Sequence, residues 1–229
     1  VLFVTANSTD VALPTDIPGW TLLTSRDGNG IRGRVWTRSA TPADVGADVG
    51  VTTSAWIKSS AVVAAYRSTG PALVSAYALG GSNSSSSNHT TPSLPVEHAR
   101  SWLVSAWSEK SSTTGTTWSL PGGTTERTTA AATGSGKVST VLGDSAGEVP
   151  VGTAAGRTAT TSNAASRSML LSVVIDPGTD ATETNEAPTA AFTAGCSGRT
   201  CEFDARGSFD PDEDQLTYTW AFGDGSTGD

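Results

Sequence analysis

Lysine is almost missing from this 229-residue chain: Lys58, Lys110 and Lys137 stand against 11 arginines. Charged residues of all kinds reach only 16%, and the net charge is −8. With no basic run, neither nucleic acid nor an anionic lipid surface is an expected partner. Long apolar runs are missing too. The longest, Ala61 to Tyr66, is six residues, far below a bilayer span. No stretch longer than two turns keeps a helical period. There are two cysteines, Cys196 and Cys201, without the second pair that a zinc site wants. Their C-x4-C spacing suits a short disulfide-stapled hairpin and an oxidising compartment. Two free thiols or a metal are the alternatives.

What is abundant is serine and threonine, 65 residues together. With Val, Gly and Ala they favour short strands and turns. Strand-like runs fall at 1–6, 20–24, 31–38, 49–57, 61–67, 72–79, 99–107, 136–142 and 168–175. Turn clusters such as Asp27-Gly28-Asn29-Gly30 and Pro121-Gly122-Gly123 separate them. This spacing predicts an all-β protein, a jelly-roll-like β-sandwich over 1–175. The chain opens inside an apolar run, Val1 to Val4, as expected of a fragment.

Charge divides the chain. Residues 1–175 hold 10 acids and 12 bases, net +2; residues 176–229 hold 12 acids and 2 bases, net −10. Residues 176–187, DPGTDATETNEA, read as an acidic linker, with a second unit over 188–229. Gly80 to Pro95 reads GGSNSSSSNHTTPSLP, a low-complexity segment expected to be a mobile surface loop. It carries the N-x-S/T sequons at Asn83 and Asn88; the third is at Asn7. The composition looks bacterial, where such sequons usually stay unmodified.

Faces can be assigned by alternation. Arg32, Arg34, Trp36 and Arg38 share one face of 31–38, opposite Ile31, Gly33 and Val35. Thr52, Ser54 and Trp56 share one face of 49–57. An exposed Trp flanked by Arg and Thr on a flat sheet can stack a sugar ring or anchor an interface. Trp36, Trp56, Arg34 and Arg38 are therefore the candidate ligand-binding residues. The alternative is that both Trp pack under the 80–95 segment, or fill the core in a register slipped by one. Trp102 and Trp20 are expected in the core. The order of this region (a Gly-Trp strand, a turn, R-V-W, P-A-D-V-G, V-T-T-S) is similar to β-sandwich modules of secreted actinobacterial proteins and phage tail or receptor-binding proteins.

Catalytic signatures fail on context. Gly143-Asp144-Ser145-Ala146-Gly147 resembles the text around a trypsin-like nucleophile. The only histidines, His89 and His98, lie in or beside the 80–95 segment, and triad geometry needs a held base. A glycosidase needs two carboxylates at strand centres. The acids of 1–175 fall in turns or at strand ends, with only Glu126 a mid-strand candidate. No enzyme is expected within this chain.

In the acidic part, Ala191-Phe192-Thr193 and Cys201-Glu202-Phe203 form two short strands of a hairpin. Leu216, Tyr218, Trp220 and Phe222 alternate along a third strand, ended by Gly223-Asp224-Gly225. Together with Pro188, Asp204, Ser208 and Asp210-Pro211-Asp212, these residues resemble the PKD domain, an immunoglobulin-like β-sandwich. The resemblance covers the first half of such a module. It implies an extracellular spacer or interaction domain, often beside glycosidases, proteases or adhesins. Asp210, Asp212 and Asp214 form D-x-D-x-D, hard oxygens at alternate positions that calcium prefers. The alternative is an Asx turn with solvated carboxylates. The reading as a whole is a non-catalytic, secreted or cell-surface adhesion or ligand-binding protein. A glycan, another surface polymer or a protein is the expected partner. An ancillary region of a larger secreted hydrolase and a structural spacer are the rivals.

Overall fold

The computed structural model describes residues 1–7, 10–67, 73–112, 115–177, 187–198, 200–211, 216–222 and 225–228. Two compact units partition the chain, Val1–Thr179 and Asp180–Asp229. Both are built of antiparallel strands. The one helical element among the described residues is a 3-10 turn, Pro42–Asp44.

The first unit contains β1 (Leu2–Ala6), β2 (Thr21–Gly28), β3 (Ile31–Thr37), β4 (Ser59–Val63), β5 (Leu73–Ser82), β6 (Ser86–Thr90) and β7 (Leu94–Val96). There follow β8 (Trp102–Ser111), β9 (Trp118–Ser119), β10 (Thr125–Ala131), β11 (Lys137–Asp144), β12 (Gly152–Ala154), β13 (Thr158–Ala165) and β14 (Arg167–Asp176). A four-stranded sheet in the order β2-β3-β1-β4 faces a five-stranded sheet in the order β10-β11-β8-β14-β5. Phe3, Ile31, Val35 and Val62 from the first meet Val104, Ala106, Leu142, Met169, Leu171 and Val173 from the second. This is the sandwich that the apolar alternation predicts.

The central strands of both sheets are covered on their outer faces as well. The far side of the five-stranded sheet is covered by two smaller sheets, β6-β13-β9 and β12-β7. Trp107, Val141, Ala159 and Leu170 fill one of these contacts; Leu94, Val96, Leu103, Val149 and Val174 fill the other. The far side of the four-stranded sheet is covered by residues 11–20 and by the 51–57 segment. Leu13 and Ile17, with Val51 and Ile57, pack there on Leu2, Val4, Ala6 and Trp36. A strand buried on both faces reads as a continuous apolar run, and β1, LFVTA, is buried at every position.

Two expectations are corrected here. Residues 49–57 form no strand. Val51 and Ile57 anchor an irregular segment to the Trp36 cluster, and that anchoring produces the apolar spacing taken for a strand. The 80–95 segment is not a mobile loop: it holds the end of β5, all of β6 and the start of β7. Its small residues serve close packing. A Cβ at Gly81 would lie 2.9 Å from the Ser168 carbonyl oxygen, and one at Gly80 3.2 Å from Pro92. Trp20 and Trp102 are half-buried; Trp102 meets Tyr66 edge-on at 6.4 Å between ring centroids.

The second unit contains β15 (Thr193–Ser197) paired with β16 (Thr200–Asp204), and β17 (Trp220–Ala221) paired with β18 (Thr227–Gly228). The third strand expected from Leu216 to Trp220 is paired only at Trp220–Ala221; residues 216–219 are irregular. Most of the expected linker, 178–186, lies outside the described residues.

Candidate functional site

The four side chains singled out by alternation do not form one exposed platform. Arg32, Arg34 and Trp36 do share a face of β3, but residues 11–20 run across that face. Trp36 is 0% exposed, and its indole N–H donates to the Thr15 carbonyl at 3.4 Å. Arg32 reaches the Val11 carbonyl at 3.2 Å. Arg34 is buried as well. Its guanidinium donates to Asp27 Oδ1 at 2.6 Å and to the Gly33 carbonyl at 2.9 Å. The Arg34 hydrogen bond holds the Asp27 carboxyl below the usual carboxylate range, against the opposing effect of burial. Trp36 and Arg34 are therefore corrected from ligand contacts to structural residues. The alternation was right; what it cannot show is that residues 11–20, an earlier segment of the chain, fold back over the polar-looking side.

Arg38 and Trp56 belong to a different setting, the long irregular segment from Arg38 to Lys58. Its first turn is firmly built. Thr41 donates its amide to Asp44 Oδ2 at 2.7 Å and its hydroxyl to the same oxygen at 3.0 Å. Arg38 donates to Asp44 Oδ1 at 2.5 Å and stands 5.4 Å over the Trp20 ring. The Thr41 bonds, with Arg38 behind them, keep the Asp44 carboxyl below its ordinary range. At the other end Ile57 returns to the core, and the Asn7 amide donates to the Lys58 carbonyl at 3.0 Å. Between these anchors Val45 is 86% exposed and Trp56 83% exposed. Trp56 is the one fully exposed tryptophan among the described residues of this unit.

The residues of the hydrolase-like signature are engaged in internal hydrogen bonds. Asp144, at the end of β11, is buried and receives both Nε and Nη2 of Arg127, at 2.6 and 3.0 Å. Tyr66 Oη adds a bond at 3.0 Å and the Ala146 amide one at 2.9 Å. Burial raises the Asp144 carboxyl, but these donors outweigh it and leave it below the usual range. Ser145 Oγ donates to the Gly147 carbonyl at 2.5 Å and accepts the Leu103 amide at 3.1 Å. His89 is buried against Trp118, 3.3 Å from the Thr161 hydroxyl, and burial lowers its basicity. His98 pairs with Asp176 at 2.7 Å. Glu126 is exposed near the start of β10.

In the second unit Cys196 and Cys201 are joined by a disulfide across directly paired positions of β15 and β16. Phe192, Phe203 and Phe222 gather around Trp220, with centroid separations of 5.4, 5.4 and 6.5 Å respectively. Phe209 and Thr189 bridge, and Ser208 Oγ donates to the Ala191 carbonyl at 3.0 Å. Asp210 is half-buried, while Asp212 and Asp214 lie outside the described residues. Among the described residues no group of three His, Cys, Asp or Glu is placed to hold a metal.

Residues 185–229 match the family model described as PKD domain. The C-terminal segment is a PKD domain. The hairpin, the disulfide and the aromatic cluster around Trp220 are thus parts of an immunoglobulin-like module. A PKD domain together with a disulfide is consistent with an extracellular location. No helix among the described residues is long and apolar enough to cross a membrane. No curated protein and no solved structure matches the chain.

Proposed function

We propose that the chain is a non-catalytic, secreted or cell-surface ligand-binding protein. Its N-terminal sandwich presents the 38–58 segment, with Trp56 as principal contact, to a carbohydrate polymer. The observation that carries this reading is the exposure of Trp56 on a segment anchored at both ends. Long irregular connections inside a compact domain are usually functional. An exposed indole offers a flat apolar face on which a sugar ring can stack. The PKD match supports an adhesive or ancillary role. The engagement of Ser145, His89 and His98 in structural bonds supports the non-catalytic part.

The test is a binding screen of the whole chain against insoluble polysaccharides and a glycan array, beside Trp56→Ala. The reading predicts retention on at least one polymer and a loss of about tenfold or more in the variant, with unchanged melting. Equal binding by both proteins would remove Trp56 from the site. Absence of binding to every polymer would leave a spacer or a protein partner as the better reading.

A further inference from the structure

Glu109 is the one carboxylate among the described residues that is fully buried with both oxygens unpartnered. It lies on the face of β8 that carries Leu103, Ser105, Trp107 and Ser111, turned away from the sandwich core and toward β6-β13-β9. Across the sheet it stands opposite Ser139 of β11 and Ser168 of β14. Ser139 Oγ is used by the Trp118 indole, which donates to it at 2.9 Å. Ser168 Oγ has no partner, and neither has the Thr116 hydroxyl, which is near enough to influence the Glu109 carboxyl. Three unsatisfied polar groups, from β8, β14 and the 112–117 connection, thus meet under one covering layer.

An ionised carboxylate in that position would be desolvated without an ion pair or a formed hydrogen bond to replace water, which proteins avoid by keeping the group neutral. A protonated carboxyl has one O–H to donate and keeps an acceptor, matching two hydroxyls that can do either. Burial pushes the Glu109 carboxyl up, with Thr116 and the Lys137 ammonium opposing. Lys137, diagonal to Glu109 on β11, makes no ion pair with it. Lys110 and Arg167 project from the other face of the sheet. His89 is the only titratable side chain of β6, β9 and β13, and it is occupied by Trp118 and Thr161.

We propose that Glu109 is a proton-operated latch: it is uncharged in the closed fold, and loss of its proton loosens the β6-β13-β9 layer from the five-stranded sheet. The folded state binds this proton more tightly than the unfolded chain. The stabilisation is therefore complete below the ordinary carboxylate range and is lost as pH rises through the folded value.

The experiment measures thermal midpoints of the full chain, wild type and Glu109→Gln, from about pH 4 to about pH 9. Each is run in EDTA and with added calcium. Hydrogen exchange at 158–165 is compared between the two proteins at each pH. The wild-type midpoint is expected to fall relative to the variant as pH rises, by on the order of a few degrees. Exchange at 158–165 is expected to become faster in the wild type than in the variant at the upper end. A pH-independent difference overturns the latch. So does a wild type that gains on the variant with rising pH, since Glu109 would then be an ion-pair partner of Lys137. A calcium-dependent rise abolished in Glu109→Gln overturns it in favour of a cation site. Glu109→Met repeats the test without a polar group, and failure of both neutral variants to fold at any pH also overturns it.

Discussion

Trp36 and Trp56 sit twenty positions apart in similar local sequence, yet their settings are opposite. The indole of Trp36 is sealed between β1 and residues 13–17, so removing it leaves a large hole. Trp36→Ala is expected to cost about 3–5 kcal/mol, read as a lower midpoint in urea unfolding. Trp56 touches little, so Trp56→Ala is expected to shift stability by no more than about 0.5 kcal/mol while removing polymer retention. A destabilisation of Trp56→Ala as large as that of Trp36→Ala would show that Trp56 is packed. Asp144 makes a third case at this scale. Its carboxyl lies below its ordinary range in the fold, so the stability it contributes is present above that range and is lost on acidification through the folded value. Asp144→Asn keeps the shape but removes the negative charge that faces Arg127 and leaves donors poorly matched. It is expected to cost about 1–3 kcal/mol at neutral pH and to flatten the acid limb of the stability curve. An unchanged acid limb would assign that limb to other carboxylates.

Among the elements, those buried on both faces were the most legible. β1, β8, β11 and β14 carry apolar or small residues at nearly every position, and their runs in the sequence stand within a few residues of the observed strands. The covering strands were not legible. β6, SSNHT, and β13, TATTSNAA, have little hydrophobic pattern because they pack through small side chains and hydroxyl pairs such as Thr90 with Thr158. Serine-rich text therefore reads as a loop when it is a close-packed layer. The candidate site was half legible for a related reason. Alternation identifies which residues share a face, but covering that face is a long-range event between β3 and residues 11–20. Gly156 shows how tight the covering layer is. A Cβ there would stand 1.9 Å from the Thr91 carbonyl oxygen, and its own amide donates to Ser93 Oγ. Since backbone lies in the way, Gly156→Ala must displace the entry to β13, at a cost of about 3 kcal/mol or more. The check is a urea midpoint together with faster hydrogen exchange at 158–165. An alanine variant as stable as the parent would mean that Thr91 and Gly156 are farther apart than described.

At the scale of the whole molecule the two units differ in what holds them. Every fully buried hydrophobic side chain among the described residues belongs to the first unit, from Leu2 to Ile175. In the PKD domain Phe192, Phe203, Phe209, Tyr218 and Phe222 all remain exposed, and pairing among the described residues is limited to two short ribbons and the Thr189–Phe209 bridge. Isolated two-stranded ribbons are marginal in water. The clearest local support is the disulfide, which closes a loop with a sequence separation of 5. On a chain-entropy account it contributes about 2 kcal/mol to that hairpin. The net charge of −10 on residues 176–229 adds self-repulsion at low salt. Residues 1–177 expressed alone are therefore expected to melt in one cooperative transition. Residues 185–229 expressed alone are expected to give no cooperative transition, to bind a hydrophobic dye, and to lose the hairpin's strand signal on reduction. Circular dichroism with and without reductant, beside dye fluorescence, checks this. A sharp melting transition from 185–229 alone would mean that the aromatic cluster around Trp220 suffices as a core despite its exposure.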